Sequence, residues 1–201
     1  MTECMRNVEP LGGCTLTGKF VALEPLRNRH RESLIAAART PGIFSFMPVA
    51  SAEAYAGALE RIAQGNARGD IITYAVRRLS DGAIVGSTSY LALSPENARV
   101  EIGWTWYVPQ AQGGPVNPEA KFLLLENAFA NDWYRIEFKT DAKNLRSRAA
   151  LKKLGAKEDG IMRGHMWMPQ GYYRDSVYFS ILAPEWPHVK AQLEARLAAF
   201  P

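Results

Sequence analysis

Glu101-Ile-Gly-Trp-Thr-Trp-Tyr-Val-Pro-Gln-Ala-Gln-Gly-Gly-Pro-Val-Asn-Pro-Glu-Ala120, running on into Lys121-Phe-Leu-Leu-Leu-Glu-Asn-Ala-Phe129, reads as a strand, a glycine turn and a helix. Gly113 and Gly114 carry no Cβ, so the backbone there turns tightly and lets a ligand approach closely. Asn117 is a suitable N-cap, and Pro118 stands where a first helical residue tolerates a missing N–H. Free amides at a helix N-terminus, together with the positive end of its dipole, favour an anion such as phosphate. Taken alone, Gln-Gly-Gly-Pro is also an ordinary surface turn.

Downstream, Arg135 to Thr140 has the composition of a short strand, and Asn144 caps a helix over Leu145–Leu154 that Gly155 ends. Ser147, Ala150, Leu151 and Leu154 share the face expected to be buried. Arg146, Arg148, Lys152 and Lys153 point elsewhere, with Arg148 near enough to the helix start to meet phosphates. Upstream, residues 1–13 read as a loose lead-in ending in Gly12-Gly13. Leu16 to Leu26 alternates as a first strand, and helices follow over Asn28–Arg39 and from Ser51 to Gly65. Between them Phe44, Phe46 and Met47 read as core residues in preference to a substrate mouth. Ile71 to Leu79, Asp81-Gly82 and Ala83 to Leu93 make a hairpin, and Arg99 to Val108 pairs with it. The helix from Pro118 to about Asn131 is apolar enough to lie flat on a sheet. Ile161–Met168 and Tyr173–Leu182 form a last hairpin before an amphipathic helix over Glu185–Phe200.

Composition sets the class. At 201 residues, 47% hydrophobic and 22% charged, the chain suits one globular domain over residues 14–201. No apolar run approaches the roughly 20 residues of a membrane helix, and the first residues lack a signal-peptide apolar segment. A cytoplasmic protein without membrane or nucleic-acid partners is expected, since the net charge of +4 is not gathered into a basic, aromatic-interleaved run. Cys4 and Cys14 read as a reduced pair, and the scattered His30, His165 and His188 predict no metal site.

The layout over nearly the whole chain resembles the GNAT acyltransferase superfamily, in its RimJ/RimL-like branch of ribosomal-protein-type N-acetyltransferases. The resemblance rests on Glu101-Ile-Gly-Trp with the glycine turn and Glu119-Ala120, and on Asn144-x-x-Ser147 with Leu154-Gly155-Ala156. It implies an α/β (α+β) fold with a mixed central sheet of about seven strands, flanked by helices, whose parallel central strands splay apart. It also implies acetyl-CoA as co-substrate, with its pyrophosphate on the turn and its pantetheine along free backbone groups of Trp106, Tyr107 and Val108. The implied cofactor-facing set includes Gln112, Gly113, Gly114, Val116 and Asn117, with Asn144, Ser147 and Arg148 on the far side. Two departures stand out. Pro115 occupies a position whose amide normally serves phosphate, a loss worth ~10–100-fold in affinity if uncompensated. Leu151 stands where a tyrosine often protonates the leaving thiolate.

Acylating an alkylamine at neutral pH requires a base, because its pKa is near ~10.4. Glu101 is the candidate, on the expectation that burial among Val100, Ile102 and Trp104 raises its pKa; the competing reading is a carboxylate paired with an arginine such as Arg99. A backbone N–H near Tyr107 or Val108 would hold the oxyanion. Tyr90 and Asp141 are candidates, by position, for holding the acceptor. The expected acceptor is a small-molecule amine or a protein N-terminus, and the expected state a monomer or homodimer. A catalytically idle CoA-binding module of the same fold is the alternative, and an unrelated α/β nucleotide-binding protein the third reading.

Overall fold

The computed structural model describes residues 8–201. Its chain order is β1 (Leu16–Thr17), β2 (Val21–Pro25), α1 (Arg31–Ala38), α2 (Ala52–Arg68), β3 (Ile72–Arg78), β4 (Ile84–Ser94), β5 (Arg99–Tyr107), α3 (Val116–Ala130), β6 (Arg135–Asp141), α4 (Leu145–Leu154), β7 (Lys157–Met168), β8 (Tyr172–Leu182) and α5 (Trp186–Ala198). The strands form one eight-stranded sheet in the order β1-β2-β3-β4-β5-β6-β8-β7. Among the described strands only β5 and β6 are parallel neighbours. One apolar cluster, including Tyr74, Val100, Leu124, Ile136 and Val189, joins the sheet to α3 and α5. A second, built from Leu34, Tyr55, Leu59, Ala75 and Trp106, lies against α1 and α2 on the opposite face. The alternation of strand side chains sends one set to each cluster, as a sheet covered on both faces requires.

Several boundaries differ from those read in the sequence, each for a physical reason. The first strand is broken because the Glu119 carboxylate of α3 accepts the backbone N–H groups of Lys19, Phe20 and Val21 at 2.8, 2.6 and 2.7 Å. Gly18 permits this approach, since a Cβ there would lie 2.3 Å from the Glu119 carboxyl carbon. The sheet therefore gains a two-residue strand beyond the expected seven. Helix α2 runs past Gly65, which is packed against Ile71, and stops at Gly69 with φ 81°. Helix α3 starts at Val116 with Pro115 as N-cap, so Asn117 is its second residue and not its cap. The described part of the lead-in is anchored: Leu11 is buried, Glu9 N–H donates to the Asn131 carbonyl at 3.1 Å, and Trp133 Nε1 donates to the Glu9 carbonyl at 3.0 Å. Cys14 is exposed, and Cys4 lies outside the described residues.

Candidate active site

Strands β5 and β6 pair only at Arg99↔Arg135, Val100↔Ile136 and Glu101↔Glu137. Beyond Glu101 the first strand stays with β4 and the second with β8, so the sheet opens along its parallel seam. A register shift between Ser87 and Ser89 on β4 faces Trp104, whose φ of 50° is a left-handed conformation unusual for a bulky residue. Such a bulge adds local twist and turns β5 away from β6.

Past the bulge, Val108 N–H donates to the Val85 carbonyl at 2.9 Å. Its donor is thus committed to β4, which removes it from the expected oxyanion and pantetheine contacts. Alternation along an antiparallel strand turns the neighbouring Tyr107 N–H toward the gap. The Tyr107 carbonyl accepts Gln112 Nε2 at 2.7 Å, and Gln112 Oε1 accepts Arg146 Nη1 at 2.6 Å. Gln112 therefore braces the glycine loop between β5 and α4. The Trp106 indole packs against Phe44 and Tyr55 in the second cluster and its carbonyl lies against Gly86 of β4, so Trp106 turns away from the gap and leaves the expected pantetheine contacts.

The loop that follows carries a set of uncommitted amides. Among the described residues the N–H groups of Gly113, Gly114, Val116 and Asn117 have no acceptor, whereas Glu119 N–H bonds the Pro115 carbonyl at 2.9 Å. Pro118 falls in the first turn, where its missing N–H has no helical partner to lose. Gly113 has φ 79°, and a Cβ on either Gly113 or Gly114 would meet nothing within 4 Å, so the space before the loop is open. Pro115, Gly114 and Val116 form one wall of a cavity of about 500 Å³ that Lys19 and Arg78 also line. Across the gap, Asn144 caps α4 as expected, its side chain accepting Ser147 N–H at 3.0 Å. Ser147 is half-buried, but Ala150 is exposed and does not join Leu151 and Leu154 on the buried face. Arg148 reaches the Ala142 carbonyl at 3.4 Å and Glu158 at 3.6 Å. Open amides, a cradle without Cβ atoms and flanking arginines fit a pyrophosphate-bearing group.

On the α1–α2 face of the seam, Glu101 is buried and its partner is Lys139 at 3.2 Å. Arg99 instead bonds Glu137 at 3.0 Å, so the competing arginine pairing does not form. Behind the seam, Lys121 of α3 donates to Thr105 Oγ1 at 2.9 Å and lies 5.6 Å from the Phe138 ring centre. Burial pulls its pKa down to about 7, against an upward pull from Glu101. Tyr90 does not face the seam: its ring is fully buried and its hydroxyl donates to the Leu124 carbonyl at 2.5 Å, which makes it a core residue. Asp141 is buried at the end of β6, accepting Tyr172 O–H at 2.5 Å and Lys143 N–H at 2.8 Å. Burial, then Asp141, pushes the Tyr172 hydroxyl up to about 12.

Two residues here escaped the sequence reading. His165 Nδ1 shares a hydrogen bond with Ser176 Oγ at 2.8 Å, and its Nε2 lies 3.4 Å from the Tyr178 hydroxyl. Burial, then Lys139 and Arg174, lowers its pKa from the usual imidazole value. Arg174 on β8 is 5% exposed. Alternation with Ser176 and Tyr178 along β8 was the available signal for Arg174, whereas His165 lies on β7, which pairs with β8 and not with β6. Gln170 Nε2, in the β7–β8 turn, donates to the Phe44 carbonyl at 3.0 Å. Phe44 is core as expected, but Phe46 is exposed. Among the described residues no group of acidic, histidine or cysteine side chains is arranged to hold a metal ion. No described helix is long and apolar enough to cross a membrane.

A sheet that opens between two parallel strands beside a glycine loop defines an acyl-CoA transferase architecture. The chain belongs to the GNAT acetyltransferase family: a family model described as an acetyltransferase (GNAT) domain matches residues 21–157. Among solved structures it is similar to a GCN5-related N-acetyltransferase from Brucella melitensis, at 27% identity and TM-score 0.88 over 96% of this chain and 89% of that one. It is similar also to a protein from T. thermophilus assigned as an acetyltransferase, at 36% identity and TM-score 0.81 over 91% and 96% of the two chains. Mycobacterium smegmatis RimJ, solved with CoA-disulfide, shares the fold at 20% identity and TM-score 0.72 over 96% and 95%. No curated protein matches the chain. GNAT acetyltransferases use acetyl-CoA as co-substrate, and the eight-stranded mixed sheet flanked by helices is their fold.

Proposed function

We propose that this protein is an N-acetyltransferase of the RimJ/RimL-like branch, transferring an acetyl group directly from acetyl-CoA to a primary amine. The observation that carries the reading is the parting of β5 and β6 after only three paired residues, beside four uncommitted amides. The thioester supplies the activated carbonyl. Phosphates rest on the N–H groups of Gly113, Gly114, Val116 and Asn117, where the dipole of α3 favours negative charge. Tyr107 N–H donates to the carbonyl oxygen as negative charge develops on it. Glu101 takes the proton of the attacking ammonium, directly or through water, with His165 as the second base within the same polar cluster. Asn144, Ser147 and Arg148 border the cofactor from α4, and Asp141 with Tyr172 borders the acceptor.

Leu151, buried where a leaving-thiolate acid often stands, favours the second reading of an idle CoA-binding module. Thiol release from acetyl-CoA over an amine panel, alongside calorimetry with CoA, separates the two. Turnover with any amine that Glu101→Gln abolishes supports the enzyme. Tight CoA binding without turnover supports the module, and absence of CoA binding removes both.

A further inference from the structure

Arg174 presents an anomaly that the acyl-transfer reading leaves unused. Its side chain is buried, yet among the described residues neither Nε nor Nη2 has a hydrogen-bond partner, and both are closed to solvent. Nη1 is not among those sealed atoms. The carboxylates whose charge reaches it, Asp141 and Glu101, are committed elsewhere: Asp141 to Tyr172 and Lys143, Glu101 to Lys139. A buried guanidinium without hydrogen bonds is costly and is normally resolved by an anion that meets its fork. Burial does pull its pKa down from the usual arginine value, although arginine stays charged.

Its position gives that unpaired guanidinium a use. Arg174 lies two residues before Ser176, the partner of Asp141 at the last rung of β6, on the same strand face as Ser176 and Tyr178. That face carries Glu101 and Lys139 beside the seam. Arg174 pairs with Met166 of β7, the residue after His165, whose ring reaches the Ser176 and Tyr178 hydroxyls at 2.8 and 3.4 Å. We propose that Arg174 receives a carboxylate carried by the acyl acceptor, so that the accepted amines are amino-carboxylates. The carboxylate enters on the Nη1 side and is held by Nη1, the guanidinium nitrogen that is not sealed. The amine of the same molecule is then directed toward Glu101. The inference rests on the acceptor binding in this cluster, and so on the acyl-transfer reading. The carboxylate belongs either to a free amino acid or to an acidic side chain beside a peptide N-terminus.

The test compares matched pairs with the full-length protein. Free amino acids and β-alanine are assayed against their carboxamides, and Ala-Asp-initiated peptides against Ala-Asn-initiated ones, by thiol release from acetyl-CoA. The carboxylate member of one pair type is expected to lead by ~10–100-fold in kcat/KM, a preference that collapses in Arg174→Met and partly survives in Arg174→Lys. In parallel, the Arg174 Nε–H resonance, assigned by its loss in Arg174→Met, is followed during titration of the CoA-bound protein with the same compounds. It is expected to shift with the carboxylates and not with the carboxamides. Unchanged CoA affinity in the variants shows that the fold is intact. Turnover without carboxylate preference, or with a preference that Arg174→Met retains, overturns the proposal and leaves acyl transfer standing. A carboxylate-specific shift without any turnover keeps the site and removes the transferase reading. A silent resonance with every carboxylate overturns the proposal whatever the turnover.

Discussion

The carboxylate of Glu101 on β5 meets the ammonium of Lys139 on β6 at 3.2 Å, and β6 contributes no partner to β5 beyond Glu137. Where backbone pairing ceases, this ion pair links the two strands across the seam. It places a buried carboxylate where the two strands part, the position from which the proposed proton transfer would run.

Replacing Glu101 by Gln keeps its shape and removes its proton-accepting charge. The expected result is a kcat lower by ~10²–10⁴-fold with CoA affinity preserved, measured by thiol release and calorimetry. Lys139→Met is the control for the ion pair itself. Equal losses in both variants, accompanied by weaker CoA binding, would mean that the pair holds the seam and does not serve the chemistry.

Glu119 tests the fold. Its carboxylate takes three backbone donors of the β1–β2 turn, two of them through a single oxygen, and it is itself buried. Glu119→Ala strands those donors, and each hydrogen bond to a charged group contributes roughly 1.5–3 kcal/mol. A loss of about 3–5 kcal/mol in denaturant unfolding is expected, allowing for partial rehydration of the turn. A loss below about 1 kcal/mol would show that water replaces the carboxylate freely.

That residue also marks the limit of what the sequence discloses. Local signals placed the elements well: Asp81-Gly82 for the hairpin, Asn144 and Gly155 for the ends of α4, and Gly113-Gly114 for the loop beside the seam. These act within a few residues, through turn conformation and capping. Glu119 acts across 98 to 100 residues, and no local pattern announces it. The same holds for Glu101, where burial was legible from its apolar neighbours but the partner was not. Tyr90 failed for the opposite reason: its strand was correctly read, but a strand side chain faces one of two sides, and Tyr90 faces α3. His165 and Arg174 meet the site only because β8 inserts between β6 and β7, an order that chain sequence does not state.

Lys121 gives a pH dependence with a definite sign. Its pKa falls from 10.5 to about 7 on folding, burial being the main cause. Between those values the unfolded chain holds a proton that the folded one lacks, so stability rises with pH across this window. Below about 7 both states are protonated, and the penalty is at its full, constant size. The difference in unfolding free energy between wild type and Lys121→Met should therefore change in favour of wild type by up to about 1.4 kcal/mol per pH unit from pH ~7 to ~10. Chemical denaturation at several pH values reads the slope. A flat difference would mean that Lys121 stays charged in the fold, held by Glu101.

Pro115 provides the sharpest probe of the cradle. It stands between Gly114 and Val116, whose amides are free, and its φ of −74° and ψ of −17° are ones alanine adopts without strain. Pro115→Ala thus restores an N–H to the loop with little change in backbone shape. Two effects oppose each other. The unfolded chain gains freedom, which costs about 0.4–1 kcal/mol of stability and appears as a lower Tm. The new donor joins the phosphate-facing set, where a hydrogen bond to a charged group is worth roughly 1.5–3 kcal/mol. CoA affinity is therefore expected to rise ~10–100-fold in calorimetry, with no change for pantetheine, which has no pyrophosphate. Equal affinities of wild type and Pro115→Ala for CoA would place the pyrophosphate away from this amide. A gain shared with pantetheine would trace the effect to the shape of the loop and not to the added donor.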